Sequence, residues 1–230
     1  MNRTKLLLKL CQDFGISGRL LLYVSDFLAG RYARLRVNDL IGDWIRSKHG
    51  TSAGTILGAI LFIVYVHDTP RCIQPKFAVD MASRVTGDNV FTVQSELQEC
   101  IEQLQAWSLQ WDMKLNVDKT KVMLFSHHLG DRLSLSLDGV SIEQVTEFKY
   151  LGVILDEQLK FDAHVDYAAT KARKAFAKVS MLFQGRKGIS ECLGLELYKT
   201  LVRPHMEFPI PAWATMTENG IRKLEKVQSV

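Results

Sequence analysis

The sequence lacks the patterns that mark several classes of protein. It has no low-complexity tract and no internal repeat, so a repeat architecture is excluded. Its four cysteines lie far apart with no CxxC pair, which indicates neither a zinc site nor a disulfide scaffold and fits a reducing compartment. The longest apolar run, residues 54–66, is too short to span a bilayer, and the N-terminus does not read as a signal peptide. We therefore expect an intracellular protein, cytoplasmic or nuclear, without membrane association.

The composition is that of a globular protein with an uneven distribution of charge. The chain has 230 residues, of which 47% are hydrophobic and 23% charged, enough for one large domain or two small ones. Residues 1–50 carry a net charge of +5, residues 51–170 carry −7, and residues 171–230 carry +6. Two basic ends around an acidic middle suit a polyanion held at both ends, and solvated surface helices explain the same pattern equally well.

The N-terminal third begins with two helical patterns. Apolar periodicity predicts helices over residues 5–14 and 17–30, with Ser17 as N-cap and Gly30 as C-cap of the second. Both are followed by glycine or by a change of pattern, as helix ends require. The sequence therefore predicts a helical pair at the start of the fold.

An alternating segment follows these helices. Residues 31–37 predict a strand with Arg34 and Arg36 on one face, the signal at 38–39 predicts a turn, and residues 40–48 return as a second strand. The two arginines could contact phosphates of a nucleic acid, and an ordinary solvated strand face is the alternative.

The rest of the chain mixes short strands with helices until about residue 161, after which only helical patterns occur. The stretch KFAVDMA holds a single carboxylate, Asp80, where two short strands, 72–79 and 81–87, meet. A long amphipathic helix over 93–111 comes next. Further strands are predicted at 121–126, at 132–137 before a turn at Asp138–Gly139, and on both sides of Gly152. This order predicts an α+β core with a helical appendage, divided near 156–162.

Four motifs and two flanking segments resemble the reverse transcriptases of non-LTR retrotransposons and occur in the family's order. GTSAGTILGAILF is similar to the family motif G-[VL]-P-Q-G-S-x-L-G-P-x-L-F, and FAVD to its F-A-D-D box. LNVDKTKVMLFS is similar to its asparagine–lysine–threonine motif, and FKYLGVILD to its Y-L-G motif. The segments GISGRLLLYVSDFLAGRYARLRVND and LYKTLVRPHMEFPIPAWATMTENGIRKLEKVQ resemble the parts of the family that flank these motifs.

The resemblance implies chemistry that this chain keeps only in part. Family members transfer nucleotides with two divalent metals that several carboxylates hold. The resemblance implies that these metals are Mg²⁺. Val79 stands where the leading aspartate of F-A-D-D belongs, so Asp80 is the residual catalytic and metal-binding carboxylate of that box. The family's first aspartate motif is not among these residues. We therefore expect Asp80 to be insufficient to hold the metals productively.

Other implied roles fall on the remaining motifs. By resemblance, Lys119 is the general acid near the leaving pyrophosphate, and its alternative is a lysine in a polar turn. Gly50 and Gly54 belong to the nucleic-acid-binding loop, in which Ala53 replaces a glutamine and cannot make its hydrogen bond. Tyr150 and Gly152 match the segment that holds the primer end, and their alternative is an ordinary tight hairpin.

The expected organisation follows from the same resemblance. Residues 1–160 would form a partial polymerase palm, an antiparallel sheet with packed helices that lacks the fingers and the first aspartate motif, and residues 161–230 a thumb-like helical segment. Within the palm we expect Asp80 at the turn of a β-hairpin, close to the loop of residues 50–54 and to Lys119. The basic helix with Lys171, Arg173, Lys174 and Lys178 is either a backbone grip or a charged surface.

The resemblance leaves three functions open. The first is a reverse-transcriptase-domain protein, derived from a non-LTR retrotransposon and catalytically inactive, whose family partners are an RNA template, a DNA primer and deoxynucleoside triphosphates, with no other small-molecule cofactor. The second is a non-catalytic RNA- or DNA-binding or interaction module. The third is an element relic that folds poorly, with an exposed sheet edge prone to aggregation.

Overall fold

The computed structural model describes residues 1–47, 49–52, 54–77, 80–125, 131–182 and 190–228. These residues form two compact units. The first comprises Met1–Thr120 with Ser134–Ile142, and the second comprises Lys121–Leu133 with Glu143–Val230. Each unit has its own apolar core.

The first unit opens with the predicted pair of helices, α1 (Arg3–Gln12) and α2 (Gly18–Leu28). The Asn2 side chain caps α1 by accepting hydrogen bonds from two backbone N–H groups of its first turn. Ser17 occupies the N-cap position of α2 as predicted, without a side-chain hydrogen bond to the helix, whereas the C-cap is Ala29 and not the predicted Gly30. These helices and α3 (Ile56–Tyr65) bury one apolar cluster, which includes Leu6, Leu10, Val24, Leu28, Leu61 and Tyr65.

Between α2 and α3 the chain forms a two-stranded ribbon of four short strands. β1 (Tyr32–Ala33) pairs with β4 (Ile45–Arg46), and β2 (Arg36–Val37) pairs with β3 (Leu40–Ile41), all antiparallel. The predicted turn at 38–39 is present, but the predicted continuous strands are broken and every strand residue is exposed. The alternation in the sequence therefore does not separate a buried face from a solvated one, because the residues of both faces are exposed in all four strands.

The segment around Asp80 forms the predicted β-hairpin. β5 (Ile73–Phe77) pairs antiparallel with β6 (Asp80–Ser83), with Phe77 opposite Asp80. Residues 78 and 79, which include the expected replacement Val79, lie outside the described residues. The second strand ends at Ser83, earlier than predicted.

The long amphipathic pattern forms α4 (Val90–Gln110), capped by the Asn89 side chain. Glutamines on α4 hold the segment that bears β8 (Ser136–Leu137) and β9 (Val140–Ser141). Gln94 accepts a hydrogen bond from the Ser134 N–H, and Gln98 both accepts from and donates to the Ser136 backbone. The two strands are joined by the predicted turn at 138–139, where both residues have positive φ.

One expectation from the cysteines is wrong. Cys72, beside β5, and Cys100, on α4, are joined by a disulfide across 28 residues of sequence. Spacing along the chain could not predict this pair, because it depends on how the hairpin packs against the helix.

The second unit combines two strand pairs with a helical region. β7 (Lys121–Val122) pairs in parallel with β10 (Glu143–Gln144), and β11 (Glu147–Tyr150) pairs antiparallel with β12 (Val153–Asp156). The helices are α5 (Asp162–Ser180), α6 (Glu191–Leu197), α7 (Arg203–Glu207), α8 (Ile210–Trp213) and α9 (Glu218–Gln228), with a π-helical turn over Tyr198–Val202 between α6 and α7. Val165 of α5 packs with Val153, Phe161 and Trp213, so α5 and the β11–β12 hairpin share one core.

The architecture is mixed α and β, as expected, but its sheets are small. In the part of the chain that the structure describes, each sheet has two strands. The compact units do not coincide with the predicted division at residue 160, because β12 and α5 on either side of it belong to one unit. The division into palm-like and thumb-like parts stays a prediction. Within the described ranges no helix has the length and apolar character to cross a bilayer.

Candidate functional site

Asp80 opens β6 and is exposed to solvent. Two divalent cations close together need several carboxylates on rigid elements. Among the residues described here, no group of three histidine, cysteine, aspartate or glutamate side chains could hold a metal ion. Asp80 alone therefore does not fit a two-metal centre.

Lys119 lies in a 3₁₀ turn over Val117–Lys119 whose geometry explains the motif around it. The Asn116 side chain accepts a hydrogen bond from the Lys119 N–H at 3.2 Å, and the Thr120 hydroxyl donates to the Asn116 carbonyl at 2.8 Å. Asparagine and threonine thus fix the backbone and leave the lysine side chain exposed. Its proximity to Asp80 stays a prediction, and no hydrogen bond or ion pair joins the two among the described residues.

The loop before α3 is held to the N-terminus of the chain. The Arg3 guanidinium donates hydrogen bonds to the carbonyls of His49 and Gly50, and the Gly50 N–H donates to the Met1 carbonyl at 3.0 Å. Gly50 and Gly54 have φ angles of +78° and +76°, which side chains rarely adopt. The glycines therefore have a local conformational role, which is independent of any ligand.

The same loop closes onto α3 through a tight contact at Gly58. Thr55 caps α3 by accepting from the Gly58 N–H and donates its hydroxyl to the Ser52 carbonyl. A Cβ at Gly58 would lie 2.6 Å from the Ser52 carbonyl oxygen. Gly58 is therefore required by close packing of the loop on the helix.

Tyr150 and Gly152 lie at the turn of the β11–β12 hairpin, in the second unit. Leu151 and Gly152 form the two-residue loop, with φ angles of 47° and 92°, and a Cβ at Gly152 would lie 3.4 Å from the Phe208 ring. The tight hairpin expected from the sequence is therefore present. Its contact with a primer is untested.

Arg34 and Arg36 are exposed on the ribbon and make local contacts. The Arg34 guanidinium carbon lies 4.6 Å from the centre of the Trp44 ring, and Arg36 Nε donates to the Asn38 carbonyl at 3.3 Å. Exposed arginines next to an exposed indole are chemically suited to phosphates and stacked bases.

A further basic cluster was only partly visible in the sequence. Lys149 on β11 donates to the Tyr167 hydroxyl at 2.6 Å, and the ammonium groups of Lys149 and Lys171 lie 4.3 and 4.8 Å from the centre of the Tyr167 ring. Hydrogen bonds from Lys149 and Lys171 lower the pKa of Tyr167 from its ordinary value. The four-residue spacing of Tyr167 and Lys171 on a helix is a signal in the sequence, whereas no local pattern links Lys149, which comes from a different element, to Tyr167.

The cluster continues along α5. Lys171, Lys174 and Lys178 are exposed and separated by three and four residues, so they follow one face of the helix. None of the three forms an ion pair within the described ranges, unlike Lys223 of α9, which pairs with Asp166. We call Lys149, Lys171, Lys174 and Lys178 the lysine row.

The sequence of these elements matches a known family. Residues 3–155 match the family described as reverse transcriptase (RNA-dependent DNA polymerase). The chain belongs to the reverse transcriptase family. The predicted resemblance is thereby confirmed, and the match includes the Asp80 hairpin, the 50–54 loop and the turn with Lys119.

Reverse transcriptases of mobile elements are also among the relatives of the chain. It is 24% identical to a probable RNA-directed DNA polymerase from transposon X-element of Drosophila melanogaster, over 90% of this chain and 24% of that protein. It is 24% identical to the RNA-directed DNA polymerase from mobile element jockey of the same organism, over 92% of this chain and 24% of that protein. The chain thus spans about a quarter of the length of these relatives. No solved structure matches the chain.

Proposed function

We propose that these residues form a reverse transcriptase domain that binds the backbones of an RNA template and a DNA primer but does not itself add nucleotides. In this proposal, residues 1–160 form a partial palm and residues 161–230 form a thumb-like segment. In the palm, Asp80, Lys119 and the 50–54 loop occupy the former catalytic region.

Loss of catalysis is supported by the carboxylates. The F-A-D-D position has Val79 followed by Asp80, and the structure gives Asp80 no carboxylate partner suited to a metal among the described residues. A single carboxylate supplies too few oxygen ligands to hold two cations that must contact both the attacking and the leaving oxygen. Lys119, even where it can still donate a proton, then has no activated phosphate to act on.

Backbone binding is supported by the lysine row, and this observation carries the proposal. Two ammonium groups lie against one phenol ring at Tyr167, and two more continue along α5 without carboxylate partners in the described part of the chain. From residue 171 to residue 178 the helix rises about 10 Å, which equals the axial rise of about three nucleotides of one strand. The exposed Arg34 and Arg36 provide a second basic surface, and Tyr150 and Gly152 the proposed contact with the primer end.

The test is the salt dependence of binding to a fluorescently labelled RNA–DNA hybrid, measured by anisotropy between about 50 mM and about 200 mM salt. The test variant replaces Lys149, Lys171 and Lys174 by glutamine. The matched control replaces Lys5, Lys121 and Lys199 by glutamine, which changes the net charge by the same amount. Each of these three lysines is paired with a carboxylate.

The lysine-row variant should bind more weakly, and its slope of log affinity against log salt should be shallower by about two to three, since each phosphate contact contributes about 0.9. The control variant should keep most of the slope. Equal losses in the two variants would show that only net charge matters and would overturn the proposed backbone site. An affinity that does not change with salt would overturn backbone binding altogether.

A further inference from the structure

The cysteines fall into two classes in the structure. Cys11 and Cys192 are free and exposed. Cys72 and Cys100 form a disulfide, in which Cys100 has only 3% of its surface exposed and Cys72 is half-buried. Only one sulfur of the bonded pair is thus accessible to a small thiol.

This bond lies at the base of the Asp80 hairpin. Cys72 directly precedes β5, and Ser83, the last residue of β6, has its hydroxyl oxygen 3.3 Å from Cys100 Sγ. Ile73 pairs with Ser83 in the hairpin register, so both strands meet α4 at Cys100. The opposite end of the hairpin, with Phe77 and Asp80, is exposed. The covalent link therefore fixes the base of a hairpin whose strands are exposed at Phe77 and Asp80.

Both sulfurs also have partners that suit the reduced state. Cys72 Sγ lies 3.8 Å from Gln103 Oε1 and 3.9 Å from the Cys100 carbonyl oxygen, acceptors that a Cys72 thiol can use. The Ser83 hydroxyl is placed to donate to a Cys100 thiolate. Reduction thus leaves neither sulfur as a buried polar group without a partner, which would otherwise penalise the open state.

We propose that Cys72–Cys100 is a thiol-controlled clamp that fixes the Asp80 hairpin to α4 and releases it on reduction. A small thiolate attacks Cys72 Sγ, the Cys72–Cys100 bond breaks, and Cys100 leaves as the thiolate. A second small thiolate attacks the mixed disulfide, which releases a small-molecule disulfide and the Cys72 thiolate, and both protein thiolates then take up protons. Re-formation transfers two electrons to a small-molecule disulfide and releases two protons. The clamp is independent of the lysine row.

The first test counts thiols on the full chain across buffers of reduced and oxidised glutathione. After acid quenching, unfolding and alkylation, the reduced chain should have four labels by mass spectrometry and the oxidised chain two, on Cys11 and Cys192. The number should change within the series. Four labels in every buffer, or two in every buffer, would overturn a reversible clamp.

The second test follows trypsin cleavage in the two states. Reduction should speed cleavage after Lys76, which lies in β5, and after Arg84, which directly follows β6, by several-fold. It should leave cleavage after the buried Lys9 unchanged. A Cys72→Ser variant should be cleaved quickly in either buffer, whereas a Cys11→Ser variant should behave as the parent does. Unchanged cleavage at the hairpin would overturn the clamp. Cleavage that also rises after Lys9 would overturn it too, because the bond would then stabilise the whole unit.

Discussion

The ion pair between Lys9 and Asp68 should respond very differently to the loss of each partner. Lys9 has no exposed surface, and its ammonium nitrogen lies 2.5 Å from Asp68 Oδ1 and 2.8 Å from the Tyr65 carbonyl oxygen. Trp107 Nε1 donates to the same Asp68 oxygen at 2.9 Å, and the Lys9 ammonium lies 3.7 Å from the centre of the Trp111 ring. Asp68 has 31% of its side chain exposed. The two charges are therefore buried to unequal degrees.

The magnitudes follow from that difference. Asp68→Asn leaves a buried ammonium without its anion, a change that costs about 3–5 kcal/mol when no other partner remains. The Tyr65 carbonyl and the Trp111 ring remain, so we expect a loss of about 2–4 kcal/mol in the free energy of unfolding. Lys9→Met replaces the buried charge by an apolar chain of similar length and leaves a carboxylate that water can reach, so its cost should stay below about 1 kcal/mol.

The assay is urea unfolding of the full chain, followed by circular dichroism and tryptophan fluorescence. In the double variant the asparagine no longer faces a buried cation, so most of the loss should be recovered. Asp112→Asn, which removes the exposed partner of Lys5, is the control and should hardly change the unfolding midpoint. A cost of Lys9→Met equal to that of Asp68→Asn, or a double variant that shows the sum of the two losses, would contradict the expected effect of the buried, unpaired ammonium.

The same pair sets an acid limit for the first unit. Burial raises the pKa of Asp68, but the hydrogen bonds from Lys9 and Trp107 and the charge of Lys9 outweigh it and place the pKa below its ordinary value. The unfolded chain therefore takes up the proton first. The contribution of the ionised Asp68 to the free energy of unfolding is complete above about pH 4. It is lost as the pH falls through the lower pKa that Asp68 has in the folded state.

Two further predictions concern packing and histidine charge. Gly58→Ala should lower the free energy of unfolding by about 1–3 kcal/mol, because its methyl group would meet the Ser52 carbonyl, whereas Gly42→Ala, with its nearest contact at 3.6 Å, should have little effect in the same urea experiment. Burial, and then the charge of Lys149, lower the pKa of His164, so the second unit should be most stable above about pH 6.5 and lose stability as the pH falls through the folded pKa. Melting temperatures between about pH 7.5 and about pH 5 should fall in the parent and change less in His164→Gln, and equal changes in both would contradict this role.

Local signals allowed much of the fold to be predicted. The turns at 138–139 and 151–152, the start of α2 at Ser17 and the hairpin at Asp80 depend on residues adjacent in sequence, and each is present. The alternating ribbon was predicted less well, because alternation describes which way side chains point and does not say whether another element covers them.

Contacts between distant elements were not predictable in this way. The Cys72–Cys100 bond and the contact of Lys149 with Tyr167 each join elements whose packing no local pattern encodes. At Lys119 the local part is explained, because Asn116 fixes the backbone of its turn. The expected closeness of Lys119 to Asp80 depends on tertiary packing and stays a prediction. The motifs thus predicted the family, and tertiary packing determined which groups are paired.

The central claim is that this reverse transcriptase domain binds nucleic acid without adding nucleotides, and primer extension tests it most directly. The purified 230-residue chain should be incubated with an RNA template, an annealed labelled DNA primer and deoxynucleoside triphosphates, with Mg²⁺ or with Mn²⁺. The account predicts no extension above that of the Asp80→Ala variant, and none for Val79→Asp, which restores a single carboxylate. Extension by the parent chain that Asp80→Ala abolishes would contradict it.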